Sequence, residues 1–519
     1  MIKISSTKGK RLALFGLGGS GLAAAKACMA GGADVTVWDD REEAVRRARE
    51  LGLKAQDLHD LDWKKISSLI LSPGVPLTHP EPHWSAALAR QHKVEIIGDI
   101  ELFLRERKLF LETHKLDRRH IPFVAITGTN GKSTATALIA HMLNKAGWDA
   151  QTGGNIGRPI LELEEFKADN NQAYIIECSS YQIELTPSLA PTVGILLNIT
   201  PDHIDRHGSF DEYAAVKARL AEKSETAIVA YDDAPTLAIY QKLEKERRSN
   251  AYYAKDQGSP RLIGVGAPRS ESGAIPQDCV TTPPEFAYRV GHFYKGDKLL
   301  MSSAALRGRH NGQNGICALA ACAALGAEGF EIGLKDFRGL PHRMEEVGNL
   351  KYKGVTIRFI NDSKATNAEA AAPALLSYRN IYWLAGGQAK AGGINMLLNQ
   401  KYLAQIRRAY FFGEAASDFA KSWANAHSST AGKVKAPIAE QCPYEAMDTM
   451  AEAIKAADRA VKADIDAGKI AKGSEAAILL APACASFDQF KSFEHRGREF
   501  TEQAAGYCAT ALLNEGQKR

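Results

Sequence analysis

Three observations predict an α/β protein built on mainly parallel sheets. Short apolar strands alternate with amphipathic helices, glycine-rich turns follow several of those strands, and 519 residues exceed what one hydrophobic core sustains. Such alternation implies right-handed βαβ units, whose ligands gather at the carboxyl ends of the strands.

In chain order, a strand at 12–15 runs through a glycine turn into a helix that continues to about Met29, where Gly31-Gly32 stops it. Strands at 35–38 and 69–71 follow, the first ending in Asp39-Asp40 and the second in Ser72-Pro73-Gly74. A second segment opens with a strand at 123–127. The helix after it carries Ala135, Leu138, Ile139, Met142, Leu143 and Ala146 on one face and ends at Gly147. Strands at 174–176, 194–197 and 227–230 continue that sheet. The stretch 248–300 loses the alternation, is rich in Gly, Pro and Ser, and reads as hairpins and surface loops without chemistry. Strands at 355–360, 381–384, 409–412 and 477–480 form a third segment, each followed by a polar or glycine-rich turn. The expected domains are 1–104, 105–339 and 340–519, the outer two Rossmann-like and the central one built around a phosphate loop.

Composition narrows the function. Hydrophobic residues make up 45% and charged residues 24%, with a net charge of +5, so nothing points to nucleic acid or an anionic membrane. The eight cysteines are scattered without a Cys-x-x-Cys pair, which suits reduced thiols in a cytoplasm. Lys8-Gly9-Lys10-Arg11 and the apolar residues after it imitate a signal peptide, but four glycines and Lys26 break the run. No stretch of roughly 18 apolar residues spans a bilayer.

Gly16-Leu17-Gly18-Gly19-Ser20-Gly21, with Asp39 following 18 residues later, matches a dinucleotide fingerprint. Its physics requires only a pyrophosphate and a ribose, so a dinucleotide, a UDP-linked substrate and a purely structural turn all remain open. Gly128-Thr129-Asn130-Gly131-Lys132-Ser133 is more specific, although shorter than the general phosphate-loop spacing. Its backbone N–H groups face an anion, Lys132 adds a cation, and Ser133 offers a hydroxyl to Mg²⁺. Glu177 and His203 at strand ends suit metal coordination, against the plainer reading of satisfied polar residues. Lys217 shares a helix face with Tyr213, Val216 and Leu220 behind the capping pair Ser209 and Glu212. A lysine buried there loses its proton readily, and a neutral amine can add CO₂ to give a metal-binding carbamate; a snorkelling lysine is the alternative.

Along essentially its whole length the sequence resembles the Mur ligases, and most closely their D-glutamate-adding branch. The resemblance rests on Thr127-Gly128-Thr129-Asn130-Gly131-Lys132-Ser133-Thr134, Gly153-Gly154-Asn155-Ile156-Gly157, Glu177-Cys178-Ser179-Ser180, Asp202-His203-Ile204-Asp205-Arg206 and Tyr213-Ala214-Ala215-Val216-Lys217. Leu340-Pro341-His342-Arg343, Asn361-Asp362-Ser363-Lys364-Ala365-Thr366-Asn367, Gly98-Asp99-Ile100-Glu101 and Pro482-Ala483-Cys484-Ala485-Ser486 add to it. It implies a ligase that joins D-glutamate to UDP-N-acetylmuramoyl-L-alanine in peptidoglycan precursor synthesis, through an acyl phosphate, releasing ADP and phosphate. It also implies ATP and Mg²⁺ as cofactors, a carbamate on Lys217, and a cytoplasmic monomer. The UDP part would meet Ser20, Asp39, Arg41, Ser72, Pro73 and Gly74, with Asn155 near the reacting carboxylate. ATP would meet the 128–134 loop, Asn311, Asn314, Arg343 and Asp362, and the metal Ser133, Glu177, His203 and carbamylated Lys217. Catalysis would fall to Lys132, Lys217, His203 and Glu177. D-Glutamate would meet Lys364, Thr366, Lys390, Ser486 and Phe493. Asp40 departs from the small hydroxyl residue usual in the family, and the chain is longer than the family norm.

Overall fold

In the computed structural model the described residues are 1–155, 157–168, 171–251, 261–266, 285–289, 292–296, 298–302, 306, 309–337, 339–390, 392–430, 433–437 and 442–516. They form two compact units, Met1–Phe337 and Arg338–Arg519.

The apolar runs seen in the sequence become strands covered on both faces. In the first unit, β1 (Arg11–Phe15), β2 (Asp34–Trp38), β3 (Lys54–Ala55), β4 (Ser68–Leu71) and β5 (Glu95–Ile97) make a parallel sheet of order β3-β2-β1-β4-β5. A larger sheet follows: β6 (Phe123–Thr127), β7 (Asp149–Gly154), β8 (Gln172–Glu177), β9 (Val193–Leu196), β10 (Thr226–Ala230), β11 (Arg261–Gly266), β12 (Phe286–Arg289), β13 (His292–Lys295) and β14 (Lys298–Ser302). Its order is β14-β13-β12-β11-β10-β9-β6-β8-β7, parallel from β12 to β7 and antiparallel in the β12-β13-β14 meander.

The two sheets share a core. The helix Asp99–Thr113 buries Ile100, Leu102, Phe103 and Leu111 in a cluster that holds Leu12 and Leu14 of β1 together with Phe123, Tyr174 and Ile176 of the larger sheet. Residue 104 lies within this helix, and the second unit begins at Arg338.

The reading of 248–300 as hairpins holds for β12, β13 and β14 but misses β11, which continues the parallel sheet from β10. Two glycines disguise that strand. Gly264 leaves room for aromatic neighbours, since a Cβ there would stand 2.5 Å from the Tyr231 ring. Residues 252–260, 267–284, 290–291 and 297, Cys279 among them, lie outside the described residues.

In the second unit, β15 (Glu345–Tyr352), β16 (Val355–Asn361), β17 (Ile381–Gly386), β18 (Gln388–Ala389), β19 (Ile406–Phe412), β20 (His427–Thr430), β21 (Lys433–Pro437), β22 (Tyr444–Met447), β23 (Glu475–Leu480) and β24 (Cys484–Ala485) appear in turn. The main sheet has the order β15-β16-β23-β17-β19-β22 and is parallel apart from the β15 edge. β18 pairs with β24, and β20 with β21. The α/β class and the parallel sheets are those the sequence predicts.

Candidate active site

β6 is buried at every position between β8 and β9, so the chain must leave the sheet sharply after Thr127. It does so through the 128–133 loop into the helix Lys132–Lys145. Gly131 is the N-cap, with φ +85°, and no side chain caps the helix, which leaves its first-turn N–H groups to an anion. A Cβ on Gly131 would stand 2.4 Å from Asn314 Oδ1, so the close approach also requires glycine. Lys132 Nζ donates to Gly128 O at 2.9 Å and Thr129 O at 2.8 Å, beside the space where phosphate would sit.

Sequence reasoning missed the residue that splints this loop. Asn198, just past β9, accepts from Asn130 N at 2.8 Å through Oδ1 and donates to Asn130 O at 3.0 Å. Its backbone carbonyl accepts from Thr129 N at 2.9 Å. The same amide donates to Gln313, which donates to Asp232 Oδ2 at 2.9 Å. An asparagine ending an apolar run was the only signal. Nearby Asn314 is buried, and its Oδ1 has no hydrogen-bond partner among the described residues. An orphaned acceptor costs about 1–3 kcal/mol.

Glu177 ends β8, in register with Ile126 of β6, and is 1% exposed. Ser133 Oγ donates to its Oε2 at 2.8 Å and Asn155 Nδ2 to its Oε1 at 3.0 Å, so these three side chains meet. Ile156, inside the 153–157 motif, lies outside the described residues. A hydroxyl and a carboxylate in contact suit a hard cation such as Mg²⁺, which takes one or two carboxylates and keeps several waters. Among the described residues no three His, Cys, Asp or Glu side chains form a fuller cage. His203 is exposed, in the left-handed conformation at φ +52°, with Nε2 3.4 Å from Asp202 and its ring 5.2 Å from that of Tyr181.

Lys217 is 2% exposed, so the face reading holds and the snorkelling alternative fails. Its Nζ donates to Gly128 O at 2.9 Å and Thr127 Oγ1 at 3.2 Å, and sits 4.9 Å from the Tyr213 ring centroid. Burial, and then the like charge of Lys132, lower its pKa to about 7.

From this centre a ladder of rings runs toward the first sheet. Tyr213 Oη lies 3.1 Å from Thr129 Oγ1, and its ring lies 5.4 Å from that of His207. His207 stacks on Tyr181, and the Arg206 guanidinium lies 4.6 Å over the Tyr181 ring. Arg206 then donates to Gly74 O at 2.9 Å and Val75 O at 3.1 Å.

That carbonyl pair belongs to a cavity of about 540 Å³ lined by Ser20, Asp39, Arg41, Ser72, Pro73, Gly74, Asn155 and Gln182, among others. The expected Ser20, Asp39, Arg41, 72–74 and Asn155 set is thus brought together. The helix Gly19–Ala30 presents an uncapped N-terminus here. It packs tightly enough that a Cβ on Gly21 would fall 1.8 Å from Gly16 O. Asp99, fully buried behind the cavity, hydrogen-bonds Ser20 and Gln182, and burial raises its pKa. Asp39 accepts from Leu17 N at 2.7 Å and Arg41 Nε at 3.0 Å, bonds that hold its carboxyl below the usual range despite burial. Asp40 lies within 2.9 Å of His83 Nε2 and accepts from Trp84 Nε1 at 3.2 Å.

In the second unit, β16, β23 and β17 lie side by side, and the loops after them carry the remaining candidates. Arg496, which sequence reasoning missed, ties those loops together while fully buried. It donates to Ser363 O at 2.9 Å, Cys484 O at 3.0 Å, Ser363 Oγ at 3.0 Å and Gly386 O at 3.3 Å. Lys364 Nζ lies 5.5 Å from the Phe493 ring centroid, and Ser363 Oγ donates to Phe493 O at 2.8 Å. Ser486 is buried, Thr366 is half-buried and Lys390 is exposed. Burial pushes the Asp362 carboxyl up to about 8, against the pull of the Met344 N–H and Arg343. Asn311 and Asn314 belong to the first unit, Arg343 and Asp362 to the second.

Residues 126–322 match the model of the Mur ligase middle domain. The UDP-N-acetylmuramoylalanine–D-glutamate ligase of Chelativorans sp. strain BNC1 is 47% identical over 519 residues, covering 99% of each chain. The enzyme of the same name from Agrobacterium fabrum is 46% identical over 99% of this chain and 98% of its own. Among solved structures, the UDP-N-acetylmuramate–alanine ligase MurC of Thermotoga maritima shares the fold. It has a TM-score of 0.50 at 16% identity, covering 96% of this chain and 99% of that one. Identity near one half along the full length, on top of the assembled phosphate loop, settles descent: the chain belongs to the Mur ligase family, in its UDP-N-acetylmuramoylalanine–D-glutamate ligase branch.

Proposed function

We propose that this enzyme joins D-glutamate to UDP-N-acetylmuramoyl-L-alanine at the expense of ATP, supplying a peptidoglycan precursor in the cytoplasm. The observation that carries the reading is the phosphate loop with Lys132 and the Ser133–Glu177 pair at the carboxyl ends of the parallel strands β6 and β8. It stands beside the glycine-turn cavity that suits a nucleoside diphosphate.

The L-alanyl carboxylate attacks the γ-phosphorus of ATP, forming an acyl phosphate and releasing ADP. Two anions must approach, so Lys132 and the N–H groups at the start of the helix Lys132–Lys145 offset their repulsion and hold the transferring group. Mg²⁺ held by Ser133 and Glu177, with His203 and Lys217 at further positions, would neutralise phosphate charge. Neutral Lys217 takes up CO₂ by forming an N–C bond and releasing a proton, and the resulting carbamate supplies an anion next to Lys132. The deprotonated amine of D-glutamate then attacks the acyl carbonyl, and phosphate leaves. Asn155, which donates to Glu177, is assigned to the reacting carboxylate.

Ser20, Asp39, Arg41 and 72–74 are assigned to the UDP part. Asn311, Asn314, Arg343 and Asp362 are assigned to the nucleoside of ATP, and Lys364, Thr366, Lys390, Ser486 and Phe493 to D-glutamate. These assignments divide the work among 1–104, 105–339 and 340–519, in a chain that acts as a monomer. ATP-dependent phosphate release should require both UDP-N-acetylmuramoyl-L-alanine and D-glutamate. Equal release with L-glutamate or meso-diaminopimelate would sink the assignment.

A further inference from the structure

The cavity assigned above to UDP contains a histidine, which neither the glycine fingerprint nor the acid after β2 accounts for. His83 lines it together with Phe15, Asp39 and Arg41. Its side chain is 15% exposed and both edges of its ring are spent. Ser85 N donates to Nδ1 at 3.3 Å, which makes Nδ1 an acceptor and puts the proton on Nε2. Nε2 then donates to Asp40 Oδ2 at 2.9 Å. With no donor or acceptor left over, the ring can offer a ligand only its face.

The location selects what that face would meet. In a glycine-turn cavity the pyrophosphate sits at the helix N-terminus, here Gly19–Ala30, and the ribose sits near the acid ending the second strand, here Asp39. His83 is tied to Asp40, the residue after Asp39, and packs 4.3 Å from the Phe15 ring at the end of β1. It therefore stands at the base end of the cavity. Asp40 also holds Trp84 Nε1, so one carboxylate fixes two successive rings.

We propose that His83 is the stacking platform for the uracil ring of the UDP-linked substrate, and that Asp40 and Ser85 lock its orientation. This rests on the reading of the cavity as the UDP grip. Aromatic stacking on a nucleobase contributes enough to change affinity by about tenfold.

His83 also caps the helix Trp84–Gln91 by accepting from Ser85 N, so two variants separate cap from ring. His83→Asn retains a capping side chain and has no ring. His83→Phe retains a ring and loses the cap. Titration calorimetry of UDP into the full-length wild type and both variants should show affinity down about tenfold for His83→Asn and within about threefold of wild type for His83→Phe. In steady-state assays His83→Asn should raise KM for the UDP-linked substrate and leave kcat and KM for ATP unchanged. Wild-type affinity in His83→Asn, or an equal loss in His83→Phe, overturns the stacking role. A wild-type enzyme that ligates but binds no UDP overturns the cavity reading itself.

Discussion

Lys217 is a buried amine that feels the like charge of Lys132. Its amine titrates at about 7 when folded, because burial and Lys132 oppose its charge, whereas an exposed lysine titrates near about 10.4. Between those values the unfolded chain binds the extra proton, so stability rises with pH across that window. Below about 7 the penalty of the buried charge is present in full. With CO₂ and bicarbonate excluded so that the amine stays free, denaturant midpoints from pH 7 to 9 should climb more steeply for the wild type than for Lys217→Met; parallel profiles would contradict the shift. Lys217→Ala should reduce turnover by about 10²-fold or more, checked by phosphate release, and full activity would remove the lysine from the mechanism. The burial of Lys217 was legible because Tyr213, Val216 and Leu220 mark one helix face. The role of Asn198 was not, since its partners Asn130 and Gln313 are distant in sequence and only the fold brings them together.

Among elements, the turn from β6 into its helix depends on one conformation. Gly131→Ala would place a Cβ against Asn314 at φ +85°, where a side chain costs about 1–2 kcal/mol. Chemical denaturation should register that loss and kinetics a raised KM for ATP; a variant unchanged in both would show that the loop is less constrained than its geometry indicates. The ladder from Thr129 through Tyr213, His207 and Tyr181 to Arg206 reaches the loop after β4. Arg206→Ala should raise KM for the UDP-linked substrate several-fold, about what loss of two charge-assisted bonds produces when the loop can partly compensate. An unaltered KM would count against that strap. Strands with continuous apolar runs, such as β6, were readable directly. β11 was not, because its glycines serve the Tyr231 and Tyr240 rings and weaken its strand signature.

For the whole molecule, length and alternation predicted several parallel sheets, but not how closely the first two would be fused. In the helix Asp99–Thr113, Phe103 packs its ring against Phe123, Phe166 and Tyr174 at 5.1–5.6 Å. Phe103→Ala should cost about 3–5 kcal/mol. Probes placed in the first and larger sheets should then lose structure together, and separate transitions would argue against one shared core. The substrate branch was legible through motif resemblance rather than physics, because Arg496 joins the loops that carry Ser363 and Cys484 only once the fold has assembled them.

In the proposed reaction ATP energy passes through an acyl phosphate on the UDP-linked substrate. The most direct test supplies UDP-N-acetylmuramoyl-L-alanine labelled with ¹⁸O in its carboxylate, together with ATP and D-glutamate. Mass spectrometry of the released phosphate should find one labelled oxygen transferred per turnover. Unlabelled phosphate accompanying normal product would rule out that intermediate.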